Sequence, residues 1–293
     1  MEILKVIILS IVEGVTEFLP VSSTGHLILA NEFVSLSPKE FSNNFSVIIQ
    51  LGAILSVVVV YFNRLNPLGI SKVEKSKIPS NYNSLNWQSK LFFLIKHYDK
   101  ETINLWLKVI IGVIPAGVLG FLFDDFIDEH LFSPIVVAIM LLVWGIIIIL
   151  IEKNNRNKTS FKYQSMAEVG FKTAFLIGIF QCFAMIPGTS RSAATIMGAM
   201  ILGTNRKIAA DFSFFLAIPT MLGATLLKLV KDASNLSMYQ NFLILLGSIL
   251  SFVVAYIVIK KFLNYVKNHD FIPFGIYRII LSIIVLLYFV IIK

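Results

Sequence analysis

Two polar stretches interrupt a chain that is otherwise apolar enough to sit in a membrane, and they limit how it can fold. Residues 13–26 read Glu-Gly-Val-Thr-Glu-Phe-Leu-Pro-Val-Ser-Ser-Thr-Gly-His, and residues 187–195 read Pro-Gly-Thr-Ser-Arg-Ser-Ala-Ala-Thr. Carboxylates, an imidazole and a guanidinium are costly in hydrocarbon, so they persist inside a membrane only around a polar cavity. The two stretches therefore predict one shared, water-filled site within a membrane protein.

The composition supports a membrane protein. Hydrophobic residues make up 57% of the 293 residues and charged residues 14%, and the mean hydropathy is +0.82. The apolar runs at 134–151 and 272–292 are each long enough to cross a bilayer core of about 30 Å. The net charge is +8, but the basic residues cluster in loops between apolar segments, which is typical of membrane proteins. We therefore expect the lipid bilayer as a partner and no binding of nucleic acid.

The chain also aligns with itself. At an offset of 167 positions, Pro20 meets Pro187 and Ser23 meets Ser190 without a gap. Further identities at this offset lie in the apolar sequence on both sides. Weak internal similarity of this kind is typical of duplicated, transporter-like membrane folds, so we interpret it as an internal repeat.

Each predicted repeat is one broken apolar segment followed by three spans. The first repeat, 1–165, begins with a re-entrant hairpin at 3–34, and the second, 166–293, begins with one at 168–203. The predicted spans are 45–62, 102–123, 133–152, 211–230, 241–263 and 272–292. Three crossings per repeat would invert the second repeat relative to the first. The predicted fold class is all-α integral membrane, with about six transmembrane helices, two re-entrant helical hairpins and an inverted-topology repeat in one integrated domain.

The charges between the spans predict the orientation. Residues 63–101 carry seven Lys or Arg and residues 152–172 carry five, whereas 124–132, interpreted as a short loop, carries four acidic residues and no Lys or Arg. The positive-inside rule places the basic loops in the cytoplasm. The first hairpin would then open to the outside of the cell and the second to the cytoplasm.

The first polar stretch carries two carboxylates four residues apart. Glu13 and Glu17 would lie on one face of a helix, about one turn from each other. Such a pair suits a hard divalent cation, Mg²⁺ or Ca²⁺, and it equally suits proton transfer. The alternative is a helix end at the membrane surface, where both side chains reach headgroup water.

A turn of hydroxyl residues and a histidine follow the two carboxylates. Ser22, Ser23 and Thr24 lie where the helix is broken, so they are candidates for chemistry or, alternatively, for capping the next helix. His26 follows them and is a candidate for acid–base catalysis or for contact with phosphate.

The second polar stretch supplies features that bind anions. A turn at Pro187-Gly188 would bring backbone amides and hydroxyls to a helix N-terminus. Arg191 adds a planar cation suited to phosphate oxygens, unless it only pairs with a glutamate to join the hairpins. Arg278, assigned to the start of the last span, is a second candidate cation, with snorkelling to the interface as the alternative. The predicted substrate-binding residues are Ser22, Thr24, Gly188, Thr189, Ser190, Ser192, Thr195 and Arg278.

Both polar stretches closely resemble the signature motifs of bacterial undecaprenyl pyrophosphate phosphatases of the bacitracin-resistance type. The resemblance extends to residues 47–52, 212–219 and 271–278, so it covers nearly the whole chain. It implies an integral-membrane enzyme that hydrolyses undecaprenyl pyrophosphate to the monophosphate and inorganic phosphate, and so recycles the lipid carrier for cell-wall synthesis. It also implies the bacterial cytoplasmic (inner) membrane, an outward-facing site and a divalent cation cofactor.

The resemblance further implies roles by motif position. Glu17, Ser23, His26 and Arg191 would be catalytic, and Glu13 and Glu17 would hold the metal. Arg191 would neutralise the pyrophosphate, while Glu17 and His26 would activate either Ser23 or a water. The identity of the nucleophile stays open at this point.

A different class of protein also fits several of these features. Inverted repeats with broken helices are found in transporters, so a flippase of polyprenyl phosphate is the alternative function. Two glutamates beside the anion site would weaken simple anion binding, which favours an enzyme. The sequence leaves the oligomeric state open, with a homodimer as one possibility.

Overall fold

The computed structural model describes residues 1–131, 133–156, 158, 160–232 and 236–289; at 124–126, 128–129 and 227–232 it describes the backbone only. Within these ranges the regular structure is α-helical, and an isolated bridge joins Tyr163 to Thr204. The helices are α1 (Glu2–Thr16), α2 (Ser23–Val34), α3 (Lys39–Val60), α4 (Phe62–Leu65), α5 (Trp87–Lys96), α6 (Lys100–His130), α7 (Pro134–Asn155), α8 (Phe171–Cys182), α9 (Arg191–Ile201), α10 (Arg206–Asp232), α11 (Met238–Asn268) and α12 (Ile272–Leu287). Short 3₁₀ turns lie at Ile70–Lys72, Lys75–Lys77, Tyr82–Ser84 and Phe183–Met185.

Both predicted broken segments are pairs of helices with an irregular loop between them. Helix α1 ends at Thr16 and α2 begins at Ser23. In the second segment α8 ends at Cys182, and α9 begins at Arg191 after a short 3₁₀ turn. Within each pair the two helices pack against each other, α1 against α2 and α8 against α9. The breaks in the helices therefore fall at the polar motifs, as predicted.

Among the described residues, five helices are long and apolar enough to cross a membrane. These are Lys39–Val60, Lys100–Phe123, Pro134–Asn155, Arg206–Leu226 and Met238–Asn268. The sixth predicted span corresponds to α12, which is apolar but has 16 residues, a length of about 24 Å at 1.5 Å per residue. Residues 290–292 of that predicted span lie outside the described part of the chain. The fold is thus that of a multi-pass α-helical membrane protein.

Two predicted loops are wrong in detail. Residues 124–130, interpreted as a short acidic loop, continue α6 as helix to His130, because the run of Asp, Phe and Ile contains no Gly or Pro to end the helix. The segment 63–101 is not a plain loop either, since it holds the last part of α4, three 3₁₀ turns and α5. Asn86 caps α5 by accepting a hydrogen bond of 2.8 Å from the amide of Ser89.

The core is built around α10 and α9. Phe212, Phe214 and Phe215 of α10 are fully buried, and they form one cluster with α9 residues such as Ile196 and Met197. Helix α3 packs against α10 and α11, α6 against α8, α1 against α11, and α7 against α12. This packing places the loops of both broken segments in the interior, where polar side chains need partners.

Candidate active site

The loops of the two broken segments meet. Ser192, in the first turn of α9, donates a hydrogen bond of 2.8 Å to the carbonyl of Leu19. Arg191 donates from Nη2 to Oε1 of Glu17 at 3.1 Å. The structure therefore brings the first and second polar stretches into direct contact, as the sequence predicts.

Glu17 lies between a hydroxyl and a cation. Its Oε2 accepts a hydrogen bond of 2.7 Å from the hydroxyl of Ser23, and its Oε1 forms the ion pair with Arg191. The two charged side chains are 9% and 11% exposed, so water screens their attraction only weakly. A carboxylate held in this way can accept the proton of the hydroxyl beside it.

A cavity of about 260 Å³ opens beside this arrangement. It is lined by Glu17, Ser23, Thr24, Gln50, Ala116, Gln181, Ala184, Met185, Gly188, Ser190, Arg191, Thr220, Met221 and Ala224. The lining thus combines the predicted catalytic residues Glu17, Ser23 and Arg191 with residues from α3, α6, α8 and α10. Two of these, Ala116 and Thr220, directly follow prolines inside helices, where the regular backbone hydrogen bonding is interrupted.

Arg191 is anchored by the protein on several sides. Its Nη1 donates to the carbonyl of Ser213 at 3.1 Å, and its guanidinium carbon lies 5.8 Å from the ring centre of Phe18. Its buried Nε has no partner among the described residues. A fixed guanidinium with a donor to spare is suited to phosphate oxygens.

The start of α9 is formed by a strained turn. Ser190 has φ 73° and caps the helix, because its Oγ accepts from the amide of Ala193 at 3.2 Å. Gly188 has φ +94°, and a Cβ there would lie 2.5 Å from the carbonyl oxygen of Val137. Glycine is therefore required at this position by both its backbone angle and its surroundings.

Three predicted substrate-binding residues of this stretch are buried away from the cavity lining. Ser192 uses its hydroxyl on Leu19, as described above, and Thr195 shares a hydrogen bond of 2.6 Å with the hydroxyl of Ser213. The hydroxyl of Thr189 is buried without a partner among the described residues. The contacts of Ser192 and Thr195 hold α9 against the first loop and against α10, so their positions favour a supporting role.

The first loop repeats the strained turn of the second. Ser22 has φ 72° and caps α2 by accepting from the amide of Gly25 at 3.3 Å. By cap and backbone conformation, Ser22 is thus the counterpart of Ser190, whereas the sequence offset pairs Ser190 with Ser23. The one-residue difference leaves Ser23 free of capping, and its hydroxyl turns to Glu17 instead.

His26 contacts neither Ser23 nor Glu17 through a hydrogen bond. Its Nδ1 lies 2.7 Å from the carbonyl of Ser22, and its Nε2 lies 2.6 Å from the hydroxyl of Tyr277. No direct hydrogen bond between these described residues therefore supports the predicted activation of Ser23 by His26.

Glu13 is fully buried one turn before Glu17. Neither of its carboxylate oxygens has a hydrogen-bond partner among the described residues. Burying a carboxylate without partners is costly, and a divalent cation or a proton would remove that cost. The described residues contain no group of three or more His, Cys, Asp or Glu that could hold a metal, so a cation here would need oxygens from substrate or water.

The structure gives Arg278 a different setting from the predicted one. It lies in the second turn of α12 rather than at its start, and it is fully buried. Its guanidinium donates to the carbonyls of Gly188 at 2.7 Å, Thr189 at 3.0 Å and Pro20 at 3.4 Å. Because these carbonyls belong to both loops, the position of Arg278 favours holding the loops together over contact with substrate.

Three polar residues near the site were not predicted. Gln50 and Gln181 line the cavity, and Tyr277 contacts His26. Gln181 donates to the hydroxyl of Thr220 at 3.2 Å. An isolated glutamine in an apolar segment is itself a signal of a polar cavity, so both glutamines were detectable from the sequence.

A larger cavity, of about 570 Å³, lies between α6 and the segment before α8. Its cations have partners already: Arg64 pairs with Asp211 at 2.6 Å, and Lys72 with Asp99 at 3.2 Å. Lys108 donates to the carbonyl of Ala167 at 2.8 Å. We therefore locate the candidate active site in the smaller cavity, where a hydroxyl, a carboxylate and a guanidinium are connected.

The fold is that of a multi-pass α-helical membrane protein. Its cavity is lined by a hydroxyl, a carboxylate and a guanidinium in one hydrogen-bonded series, an arrangement that suits catalysis. Residues 6–284 match the family described as "Bacitracin resistance protein BacA". The chain belongs to this family, which confirms the resemblance seen in the two motifs.

Several relatives are similar over nearly their whole length. The chain is 50% identical to "Undecaprenyl-diphosphatase 1" of Clostridioides difficile (strain 630), over 99% of this chain and 97% of that protein. It is 49% identical to "Undecaprenyl-diphosphatase" of Limosilactobacillus fermentum, over 99% and 98%. It is 45% identical to "Undecaprenyl-diphosphatase" of Enterococcus faecalis, over 98% and 96%.

Proposed function

We propose that the protein is an undecaprenyl-diphosphatase, a membrane phosphatase that hydrolyses undecaprenyl pyrophosphate to undecaprenyl phosphate and inorganic phosphate. The proposal rests on the hydrogen-bonded series Ser23–Glu17–Arg191 at the meeting point of the two loops. Relatives of 45–50% identity over the full chain carry the same activity in their names. The reaction recycles the lipid carrier for cell-wall synthesis, which fits membership of a bacitracin-resistance family.

The cavity suits the head of a lipid pyrophosphate. Arg191 and the N-terminus of α9 provide positive electrostatic potential for the phosphates. The prenyl tail would lie among the apolar side chains that face the bilayer. The cavity beside Arg191 has a volume of about 260 Å³, which is room for the headgroup and not for the whole lipid.

Glu17 is the proposed base. Its Oε2 accepts a hydrogen bond of 2.7 Å from the Ser23 hydroxyl, so Ser23 is the proposed attacking group. The Oγ of Ser23 would bond to the terminal phosphorus, with its proton passing to Glu17, as the bond from that phosphorus to the bridging oxygen breaks and undecaprenyl phosphate leaves. Water would then hydrolyse the phosphoserine to inorganic phosphate, and Glu17 would return the proton to Ser23 Oγ. Arg191 would neutralise charge that develops on the phosphoryl oxygens during the transfer. His26, one turn further along α2, is proposed to take the proton of the water that releases inorganic phosphate.

A divalent cation is part of the proposal. Glu13 and Glu17 would hold it, because Glu13 is buried with both oxygens unpaired and Glu17 lies one turn away. Two carboxylates together with substrate phosphates are a common set of ligands for Mg²⁺. Such a cation would supply charge neutralisation to the pyrophosphate.

We also propose the inverted repeat and the orientation. The pairs α1–α11 and α8–α6 occupy corresponding places in repeats 1–165 and 166–293, and both loops begin their second helix with a cap at φ 72° or 73°.

With the basic loops in the cytoplasm, the first loop and the site would open to the outside of the bacterial inner membrane. Native mass spectrometry in detergent would decide between a monomer and a homodimer.

Purified protein in detergent tests the function directly, because transport needs a sealed membrane and hydrolysis does not. We expect release of inorganic phosphate from undecaprenyl pyrophosphate, and loss of that release when a chelator is added. A Ser23→Ala variant should lose most of the rate. Binding of the lipid without phosphate release would reject the enzyme and favour the transporter.

A further inference from the structure

We infer that Tyr277 is a positioning residue for His26, an inference that rests on the proposed phosphatase function. The hydroxyl of Tyr277 lies 2.6 Å from Nε2 of His26. The two rings are nearly parallel, at 5°, with centres 5.5 Å apart. A short hydrogen bond together with stacking fixes both the place and the tilt of the imidazole.

The partner on the other side determines the tautomer. Nδ1 of His26 lies 2.7 Å from the carbonyl oxygen of Ser22, and a carbonyl can only accept a hydrogen bond. Nδ1 therefore carries a hydrogen in every protonation state of the ring. Proton exchange at His26 is left to Nε2, so a proton that enters or leaves the ring passes through the Tyr277 hydroxyl, which gives its own hydrogen to Nε2 as it takes up another.

A phenol suits that nitrogen because it can both donate and accept. When the ring is neutral, Tyr277 donates its hydrogen to the lone pair on Nε2. When the ring is charged, Nε2 donates to the oxygen of Tyr277. A carbonyl or an ammonium group would favour one of the two states, whereas Tyr277 accommodates both, as an acid–base histidine requires.

Few charged groups surround this pair. Arg278, next to Tyr277 in α12, acts electrostatically on the His26 ring. Helix α1 contributes Glu13, the loop contributes Glu17, and α2 itself carries Glu32 farther along. Helix α7 has its charges, Glu152 and Lys153, near its far end. The two ring nitrogens contact the Ser22 carbonyl and the Tyr277 hydroxyl, so these two partners set the position of the ring.

Tyr277→Phe tests the inference, since it removes the hydroxyl and keeps the stacking ring. We expect kcat to fall on the order of 10²-fold, with KM for undecaprenyl pyrophosphate unchanged. The variant Tyr277→Phe/His26→Ala should be no slower than His26→Ala alone, because Tyr277 acts through His26. Tyr288→Phe is the matched control, since this tyrosine follows α12 and packs its ring against Phe33 and Phe289 rather than against His26.

A second measurement needs no substrate. In protein labelled with ¹⁵N-histidine, the His26 resonances should show the Nδ1–H tautomer, and Tyr277→Phe should shift the Nε2 signal while Tyr288→Phe leaves it in place. An unchanged Nε2 signal, a wild-type kcat in Tyr277→Phe, or additive losses in the double variant would each overturn the inference. If the wild type releases no phosphate, the proposed function fails, while the ¹⁵N spectrum still tests the contact.

Discussion

Glu17 contacts Ser23 with one carboxylate oxygen and Arg191 with the other, at 2.7 Å and 3.1 Å. In this resting state the guanidinium stabilises the carboxylate charge. A pyrophosphate that binds Arg191 competes with Glu17 for the same donor. Under the proposed function, substrate binding would therefore weaken the ion pair and leave Glu17 free to accept the proton of Ser23.

Arg191→Lys keeps the charge but loses the planar arrangement of donors that now reaches Glu17 and the carbonyl of Ser213. We expect kcat to fall about 10²- to 10³-fold, the usual loss when a donor to a developing oxyanion is removed. The fold should stay intact, which a thermal unfolding scan in detergent would check. Arg156→Lys, at an exposed position, is the control. Near-normal turnover in Arg191→Lys would make Arg191 a structural partner only.

Substituting Glu13 and Glu17 one at a time distinguishes metal binding from proton transfer. Glu13→Gln keeps size but removes charge, so it should raise the Mg²⁺ concentration needed for half-maximal rate, and excess Mg²⁺ should restore much of the rate. Glu17→Gln should lower kcat by about 10²- to 10⁴-fold, and excess metal should not help. Phosphate release measured against Mg²⁺ concentration distinguishes the two.

Glu101→Gln provides the control for this pair, because Glu101 is exposed in the first turn of α6. The reverse pattern, with Glu17→Gln rescued by metal and Glu13→Gln not rescued, would exchange the two roles. Wild-type rates in both variants would discard the carboxylate mechanism.

The sequence predicted the parts of the site that depend on chain position. Ser23 and Arg191 lie at helix breaks marked by Pro20 and Pro187. A polar group at a break in an apolar segment is costly in hydrocarbon, so it is expected to face a shared polar cavity. The prediction for His26 was incomplete because its partner, Tyr277, lies 251 positions away. No local pattern indicates a contact at that distance.

The setting of Arg278 could not be derived from the sequence for a different reason. An arginine near a helix start in an apolar sequence has several physical uses, including snorkelling, substrate binding and satisfying loop carbonyls. The choice depends on which backbone carbonyls approach it in the folded chain. Similarly, the acidic residues at 124–129 are typical of a loop, yet α6 continues through them to His130.

Cysteine labelling tests the proposed orientation. With the native Cys182 replaced by Ala, cysteines at Lys75 and at Asp125 are separated by one membrane-spanning helix, α6. We expect an impermeant maleimide to label the Asp125→Cys variant in intact cells, and the Lys75→Cys variant only after the cells are opened. Labelling of both from one side would refute the predicted topology.

Arg278→Met distinguishes the two readings of this residue. The substitution leaves the loop carbonyls of Gly188 and Thr189 buried without the donors that now lie at 2.7 Å and 3.0 Å. Each unpaired buried acceptor costs about 1–3 kcal/mol, so we expect a loss of roughly 2–5 kcal/mol in unfolding free energy.

Thermal unfolding in detergent would show that loss as a lowered Tm, and kcat should fall because the loops that carry Ser23 and Arg191 are no longer held together. Arg156→Met, which removes an exposed arginine, should leave the Tm in place. If Arg278 instead binds substrate, as its sequence position first indicated, Arg278→Met would raise KM for undecaprenyl pyrophosphate at an unchanged Tm. That outcome would assign substrate binding to the donors that remain, because Nη2 already serves the carbonyls of Gly188, Thr189 and Met140 and Nη1 that of Pro20, whereas Nε has no partner among the described residues.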